Sequence, residues 1–149
     1  MVRRFERFSF AISAIYRSWH KIAGDEMRKY DLKGPYAVYF TAMIRYPDGV
    51  TAVELGELCG RDKADVSRAM AQLEQKGLVE KVLPDKRVYR GLLKLTDDGK
   101  LIAEQIIIKA KAAVEYASRG LSEEKRAVFY DALRVICDNL IGLSEVGLP

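Results

Sequence analysis

The stretch TAVELGELCGRDKADVSRAMAQLEQKGLVE, residues 51–80, contains two short helix patterns separated by a tight turn. Thr51 and Glu54 have the spacing of a capping box, in which each side chain accepts a hydrogen bond from the other residue's backbone amide. Asp62 is a typical N-cap residue for the second helix, which is predicted over residues 62–76. The segment therefore predicts a helix, a turn and a second, capped helix.

The two helices have an apolar face and a polar face. The apolar face supplies an anchor formed by Leu55, Leu58, Val66, Met70, Leu73 and Leu78. The polar face of the second helix carries short or basic side chains at Lys63, Ala64, Asp65, Ser67, Arg68 and Gln72. A helix of this kind can enter the major groove of DNA, because the domain holds its apolar side and its polar side is free.

The polar face predicts individual contacts with DNA. We expect Arg68 to bind O6 and N7 of guanine or to clamp a phosphate. Lys63 and Ser67 suit phosphate oxygens, and Gln72 suits an adenine edge or a phosphate. Asp65 either supports the N-terminus of the helix or accepts a hydrogen bond from cytosine.

Basic charge is in excess in the first third of the chain and again near this segment. The chain of 149 residues has 25 Lys and Arg against 21 Asp and Glu, a net charge of +4. Residues 1–50 and residues 61–96 each carry nine positive and five negative charges, whereas residues 97–149 carry seven and nine. Residues 61–96 include a two-stranded wing predicted over residues 78–95, with a basic turn at its tip. An uneven distribution of this kind is expected of a polyanion-binding face, although charge alone favours an ordinary solvated surface.

Helices are predicted on both sides of this segment. Before it lies a helix that ends at Gly24 and could pack against its own domain or another subunit. Its apolar stripe comprises Phe5, Phe8, Ile12, Ile15, Trp19 and Ile22. A second helix over residues 34–44 is apolar almost all round, so we expect it to be buried. After the wing, a long helix runs from Thr96 to about Ser118, and a last helix presents Phe129, Ala132, Leu133, Ile136 and Leu140.

The sequence has no signature of catalysis, metal binding or membrane insertion. His20 is the one histidine, and we find no catalytic triad, metal-ligand spacing or phosphate-binding glycine loop, so we expect neither an enzyme nor a metal or other cofactor. The longest uncharged stretch has eleven residues, Gly34 to Ile44, where a membrane span needs about 20. No signal peptide is recognisable, so a cytoplasmic location without a membrane partner is expected. Cys59 and Cys137 are expected to be buried thiols rather than a disulfide.

Four motifs together resemble the winged helix-turn-helix of MarR-type transcriptional regulators. They are the helix-turn-helix of residues 51–68, LEQKGLV at residues 73–79, D-x-R-x-x-R from Asp85 to Arg90, and L-T-x-x-G from Leu95 to Gly99. The last two are the specific part, because bare helix-turn-helix patterns occur by chance. The resemblance extends to the order of helices along the whole chain and implies a mainly α fold with a small β wing.

The resemblance also implies how one MarR-like domain, residues 1–149, is divided. Residues 1–33 would form a dimerisation helix and a connection, residues 34–96 the winged helix-turn-helix DNA-binding lobe, and residues 97–149 the C-terminal helices of the dimerisation lobe. A homodimer would bind double-stranded DNA at a pseudo-palindromic operator. Its interface would involve Phe5, Phe8, Ile12, Ile15, Phe129, Leu133, Ile136 and Leu140.

At the wing tip, the resemblance implies that Arg87 probes the minor groove and that Asp85 positions it by a salt bridge. Arg90 would join the phosphate contacts. The implied function is that of a repressor or other regulator released from DNA by a small aromatic or phenolic ligand. The side chains expected to line the ligand pocket are Tyr16, Trp19, His20, Tyr39 and Met43, with ordinary core packing as the alternative for them.

Three residues depart from the family pattern. Val88 stands where a polar residue is frequent in the wing. Arg61 stands where an apolar residue is usual, and we expect it either to reach a phosphate or to loosen the turn. Gly56 stands where alanine is common.

Two other functions stay open: a winged-helix protein-interaction module without DNA binding, and a thiol-based redox sensor using Cys59, although its apolar setting favours a structural role.

Overall fold

The computed structural model describes residues 2–83 and 91–149, and within them the chain is mainly helical. In chain order the elements are α1 (Val2–Arg28), a 3-10 turn (Gly34–Tyr36), α2 (Ala37–Met43), α3 (Ala52–Cys59), α4 (Lys63–Gln75), β1 (Val79–Val82), β2 (Leu92–Leu95), α5 (Asp97–Ala117) and α6 (Glu123–Val146). The two strands form one antiparallel sheet. The predicted fold class, mainly α with a small β wing, is confirmed.

Side-chain caps begin both helices of the helix-turn-helix. The Thr51 hydroxyl accepts a hydrogen bond from the Glu54 amide at 3.2 Å, and the Glu54 carboxylate accepts one from the Thr51 amide at 3.0 Å. The bond from the Thr51 amide is the main reason that the pKa of Glu54 lies below its ordinary value. Helix α3 ends at Gly60, which has a φ of 62°. Helix α4 follows Asp62, whose carboxylate accepts a hydrogen bond from the Asp65 amide at 2.8 Å.

The apolar faces of α3 and α4 pack into a core that α2 completes. Leu55 of α3 and Leu73 of α4 have no exposed surface. Full burial of a leucine contributes about 1.5–3 kcal/mol to stability. The expectation that Leu58 belongs to this anchor is wrong, since it is 47% exposed. The inward side of α3 is formed by Leu55, Gly56 and Cys59, and this leaves Leu58 at the edge of the helix.

Glycines allow two close approaches of the backbone in this lobe. A Cβ atom at Gly56 would lie 2.9 Å from the carbonyl oxygen of Arg61, so glycine permits a tighter turn than alanine would. A Cβ atom at Gly99 would overlap the carbonyl oxygen of Leu78. The Thr96 hydroxyl accepts a hydrogen bond from the Gly99 amide at 3.1 Å and so caps α5. The L-T-x-x-G pattern therefore seats the start of α5 against the loop before β1.

Helix α1 continues through Gly24 to Arg28, so the prediction that it ends at Gly24 is wrong. The glycine has a packing role instead. A Cβ atom at Gly34 would lie only 3.0 Å from the Cα atom of Gly24, which shows that the 3-10 turn crosses α1 at this point. A missing side chain at the crossing lets the two backbones touch without ending the helix.

The described strands form the base of the wing. Val79 lies opposite Leu95, and Val82 lies opposite Leu92. Val50, just before α3, adds a pair of backbone hydrogen bonds with Leu93, of 2.9 and 2.8 Å. The base of the wing is thereby fixed to the start of the helix-turn-helix.

Residues 111–149 form a second compact unit. The Arg126 guanidinium donates a hydrogen bond to the Glu115 carboxylate at 3.0 Å and lies 3.4 Å from that of Glu123, joining the end of α5 to the start of α6. Helix α6, which is described along its whole length, has no buried residue. Cys137 on this uncovered helix is exposed, so the expectation of a buried thiol is wrong there. Within the described part of the chain, no helix combines the length and apolarity needed to cross a membrane.

Candidate nucleic-acid interface

The outward face of α4 is the candidate DNA-binding surface. The opposite face is buried at Val66, Ala69, Met70 and Leu73. Lys63, Ala64, Ser67 and Arg68 are exposed. Because the buried face fixes the position and rotation of the helix, the structure brings these four predicted residues together on one presented surface.

Asp65 and Arg68 form an ion pair on this surface. The helix cap is supplied by Asp62, so the carboxylate of Asp65 is left to hold the Arg68 guanidinium one turn further on. Both side chains stay accessible, with 43% and 67% exposed for Asp65 and Arg68. A guanidinium has five N–H donors, so Arg68 retains donors for a base or a phosphate while Asp65 restrains its direction.

Gln72, the last predicted contact on α4, is also exposed but is tied to another element. Its Oε1 atom accepts a hydrogen bond from the hydroxyl of Tyr36 at 2.8 Å. Tyr36 belongs to the 3-10 turn before α2 and is only 9% exposed. No local pattern in the sequence indicates this pairing, because it joins residues 36 positions apart.

Arg61 lies in the turn between α3 and α4 and is half-buried. A groove of about 560 Å³ is lined by the start of α3, this turn, Lys63 and Gly91 at the base of the wing. Burial raises the pKa of the Tyr39 hydroxyl, and the positive charge of Arg61 opposes that rise. Two cationic side chains thus border a groove at the N-terminal end of α4.

Two further exposed residues share the outward face of α4, and the sequence reasoning missed both. Ala71 and Gln75 follow Arg68 by three and seven positions, which places them on the same side of a helix. Helical spacing alone could have found them. The predicted wing residues Asp85, Arg87 and Arg90 lie outside the described residues.

An apolar cavity of about 180 Å³ lies between α1, α2 and the middle of α5. Its lining includes Trp19, Met27, Val38 and Ile106. Glu26 also lines it, and its carboxylate accepts a hydrogen bond from the Lys29 ammonium at 2.6 Å. Apolar side chains make up most of the wall, and this carboxylate is already paired.

The predicted pocket residues are not gathered at this cavity. Trp19 lines it, whereas Tyr16 and His20 are exposed and stack on each other with ring centroids 3.9 Å apart. Tyr39 and Met43 are core residues with at most 2% of their surface exposed. The five residues therefore lie in three different places: the cavity wall, the surface and the core. For Tyr39 and Met43, the alternative of core packing applies.

Cys59 is half-buried at the end of α3, and its Sγ atom lies 3.8 Å from the carbonyl oxygen of Val38. Burial raises the pKa of its thiol, with Arg61 as the opposing influence. A raised pKa lowers the thiolate fraction near neutral pH, and the thiolate is the reactive form. The geometry therefore gives no support to a redox sensor at Cys59.

The residues predicted to form a dimer interface are all exposed in the single chain. On α1, Phe5 and Ile15 are 72% and 64% exposed, and Phe8 and Ile12 also have large exposed areas. On α6 the exposed residues are Phe129, Leu133, Ile136 and Leu140. Each helix thus presents an uncovered apolar stripe, a feature that marks interaction surfaces in proteins.

Known proteins share both the central segment and the fold. The sequence model of the MarR family matches residues 30–87. A structure of a MarR family regulator from Listeria monocytogenes complexed with a 26mer DNA is 22% identical, with a TM-score of 0.81 over 93% of this chain and 94% of that one. The S. aureus MepR–DNA complex is 19% identical, with a TM-score of 0.78 over 89% and 97% of the two chains. A MarR protein from Peptoclostridium difficile is 20% identical, with a TM-score of 0.83 over 95% and 92%.

The fold and the surface of α4 define a winged helix-turn-helix protein. The comparisons narrow this class of protein to regulators of the MarR type. The sequence model of the MarR family matches the segment that contains α2, α3, α4 and β1, and the solved structures share the fold. The predicted resemblance to MarR-type transcriptional regulators is confirmed for residues 30–87, which match the family model, and the solved structures share the fold of the chain.

Proposed function

We propose that this chain is a sequence-specific DNA-binding regulator that acts as a homodimer on a pseudo-palindromic operator. One observation carries the proposal: α4 is capped, held by a buried apolar face, and presents Lys63, Ser67 and Arg68 on its free face. A helix presented in this way can lie in the major groove with its N-terminal half at the base edges.

The side chains of α4 and the turn divide between two kinds of contact. Arg68, restrained by Asp65, is proposed to bind guanine in a bidentate manner, which discriminates against other bases by about 1–3 kcal/mol. Arg61 and Lys63 are proposed to contact phosphates from the groove at the start of α4, and Ser67 is proposed to do so from the outward face of the helix. Phosphate contacts make binding fall steeply with salt, because each contact releases counterions.

The exposed stripes of α1 and α6 are proposed to be the dimer interface. Phe5 on α1 and Phe129 on α6 represent these stripes, being 72% and 47% exposed. Apolar surface of this extent is costly to leave in water, and a second copy of the chain offers the same stripes in return. A two-fold dimer would place two α4 helices about 34 Å apart, one turn of DNA.

The apolar cavity is proposed as the site of a small aromatic ligand that releases a repressor from DNA. Its volume is about 180 Å³, and an engineered apolar cavity of about 150 Å³ is large enough to bind benzene. Trp19 and Ile106 offer an apolar wall, and Val38 belongs to α2, which packs directly on α3. A ligand that displaces α2 would therefore shift the helix-turn-helix.

Selection of bound duplexes from random DNA tests the proposed function. The purified full chain at about 50 mM salt should enrich two related half-sites whose centres are about 10 base pairs apart. A failure to enrich any sequence would contradict the proposal and favour a winged-helix protein-interaction module. The enriched duplex then serves as the probe for ligand release by simple phenols, which should lower the fraction of DNA bound.

A further inference from the structure

We propose that Tyr36 is a positioning residue for base recognition: its hydroxyl holds the Gln72 amide so that the amino group, not the oxygen, faces the DNA. The inference rests on the proposed DNA binding and adds a rule for one base of each half-site. It names a residue outside the helix-turn-helix as a determinant of sequence specificity.

The hydroxyl of Tyr36 is held in a fixed place. The residue lies in the 3-10 turn that begins at Gly34 and includes Pro35, and its ring is almost fully buried. The ring packs against that of Tyr39, with centroids 6.2 Å apart and planes inclined by 56°. A buried aromatic ring has little rotamer freedom, so the position of its hydroxyl is set by the core.

Gln72 is exposed on α4, one turn beyond Arg68 and two turns beyond Asp65. These three residues follow each other at steps of three and four, so they line one flank of the helix. A free glutamine at this place would turn either its oxygen or its amino group outward. The 2.8 Å hydrogen bond from Tyr36 engages the oxygen and leaves the Nε2 amino group for a partner outside the protein.

An outward amino group selects bases by the atoms that they present in the major groove. It can donate to O6 or N7 of guanine, to O4 of thymine or to N7 of adenine. The bidentate contact of glutamine with adenine requires the amide oxygen to accept from N6, and cytosine presents only a donor. Because Tyr36 holds the oxygen of Gln72, adenine offers only its N7 atom and sets its N6 amino group against the amino group of Gln72. The structure therefore favours guanine or thymine over adenine and disfavours cytosine most.

The variant Tyr36→Phe tests the proposal, since it keeps the buried ring and removes only the hydroxyl. Selections from random DNA would be run in parallel with the wild type, the variant and Tyr39→Phe, a control that alters another buried tyrosine of the same segment. We expect the wild type to select against adenine at one position of each half-site. In Tyr36→Phe the freed amide of Gln72 should weaken that selection by about fivefold, the worth of one hydrogen bond.

The variant Gln72→Ala separates a positioning role from general stability. It should lose the preference at the same base position, and adding Tyr36→Phe to it should change the preference no further. Three results would each overturn the proposal. The base preference of Tyr36→Phe could equal that of the wild type, Tyr39→Phe could shift it by as much, or the double variant could shift it further than Gln72→Ala alone. If the wild type itself enriches no sequence, the proposed DNA binding fails first, so the two failures are distinguishable.

Discussion

Helices α4 and α6 are both amphipathic, and the difference between them lies in what covers the apolar side. Helix α4 buries Val66 and Leu73 against its own chain, with 1% and 0% exposed. Helix α6 has no buried residue along its described length, and Phe129 and Leu133 are 47% and 40% exposed. The spacing of apolar residues predicts that one face of a helix will be buried. Only the structure shows whether that face is buried against the same chain. The apolar side of α4 is thus covered by its own chain, which leaves its polar face for the proposed DNA contacts, whereas the apolar side of α6 is left for the proposed dimer.

The largest effect is expected from truncating the covered face. Leu73→Ala should lower the free energy of unfolding by about 2–5 kcal/mol, because it removes a fully buried side chain and leaves a cavity. Urea unfolding at two protein concentrations measures the change. The loss should be the same at both concentrations, since Leu73 packs within one chain.

Leu140→Ala on α6 is the matched substitution, because Leu140 is 43% exposed in the single chain. Its effect should depend on protein concentration, since dimer formation contributes to apparent stability by mass action. A concentration-independent loss for Leu140→Ala would remove the contrast between α4 and α6.

A charge placed on the uncovered stripe should separate the protomers. Leu133→Asp buries an unpaired carboxylate in the proposed interface, which costs several kcal/mol and favours the monomer. Affinity for a two-half-site duplex should fall by about 100-fold or more, since the avidity of two linked recognition helices is lost. Sedimentation velocity and DNA titration measure both quantities. A dimeric Leu133→Asp protein with unchanged affinity would show that α6 does not form the interface.

Substitutions of basic residues should weaken DNA binding less, and in two different ways. Arg68→Ala should cost about 1–3 kcal/mol and relax the preference for one base, because its guanidinium is proposed to read guanine. Arg87→Ala at the predicted wing tip should weaken binding to all sequences alike and reduce the salt slope by about 1. Titrations over a salt series distinguish them. A salt slope that stays the same in Arg87→Ala would rule out a phosphate or minor-groove role for the wing tip.

The smallest effect is expected at the cysteine of the helix-turn-helix. In a Cys137→Ser background, Cys59 should react slowly with a thiol reagent near neutral pH, because burial raises its pKa and keeps it protonated. The rate should rise with pH, because the thiolate fraction rises, and at each pH it should stay below that of an exposed thiol with an ordinary pKa. Rapid labelling at neutral pH would instead support the redox-sensor alternative.

The helix-turn-helix was predictable because its signals are local. The capping box of Thr51 and Glu54 and the cap at Asp62 depend on residues three positions apart, and the structure contains them. The expectation that Gly24 ends α1 is wrong because this glycine serves the packing of the 3-10 turn that crosses α1 there. A glycine required by tertiary packing looks the same in sequence as a glycine that ends a helix.

The surface properties were harder to predict, since they depend on which elements meet. Trp19 lines the cavity, but Tyr16 and His20, three positions before it and one after it, stack on the surface instead. The cavity wall is assembled from three helices, so spacing along one of them could not define it. The hydrogen bond between Tyr36 and Gln72 likewise joins elements distant in sequence, and no local pattern announces such a pair.

The stoichiometry of the complex with DNA directly tests whether two copies of the chain bind one operator. A fluorescent duplex carrying the selected operator would be titrated with the full chain and followed by sedimentation velocity at about 50 mM salt. We expect one species with two chains per duplex, which is lost in Leu133→Asp and weakened in Arg68→Ala. A complex with a single chain per duplex, or no complex with any selected sequence, would contradict it.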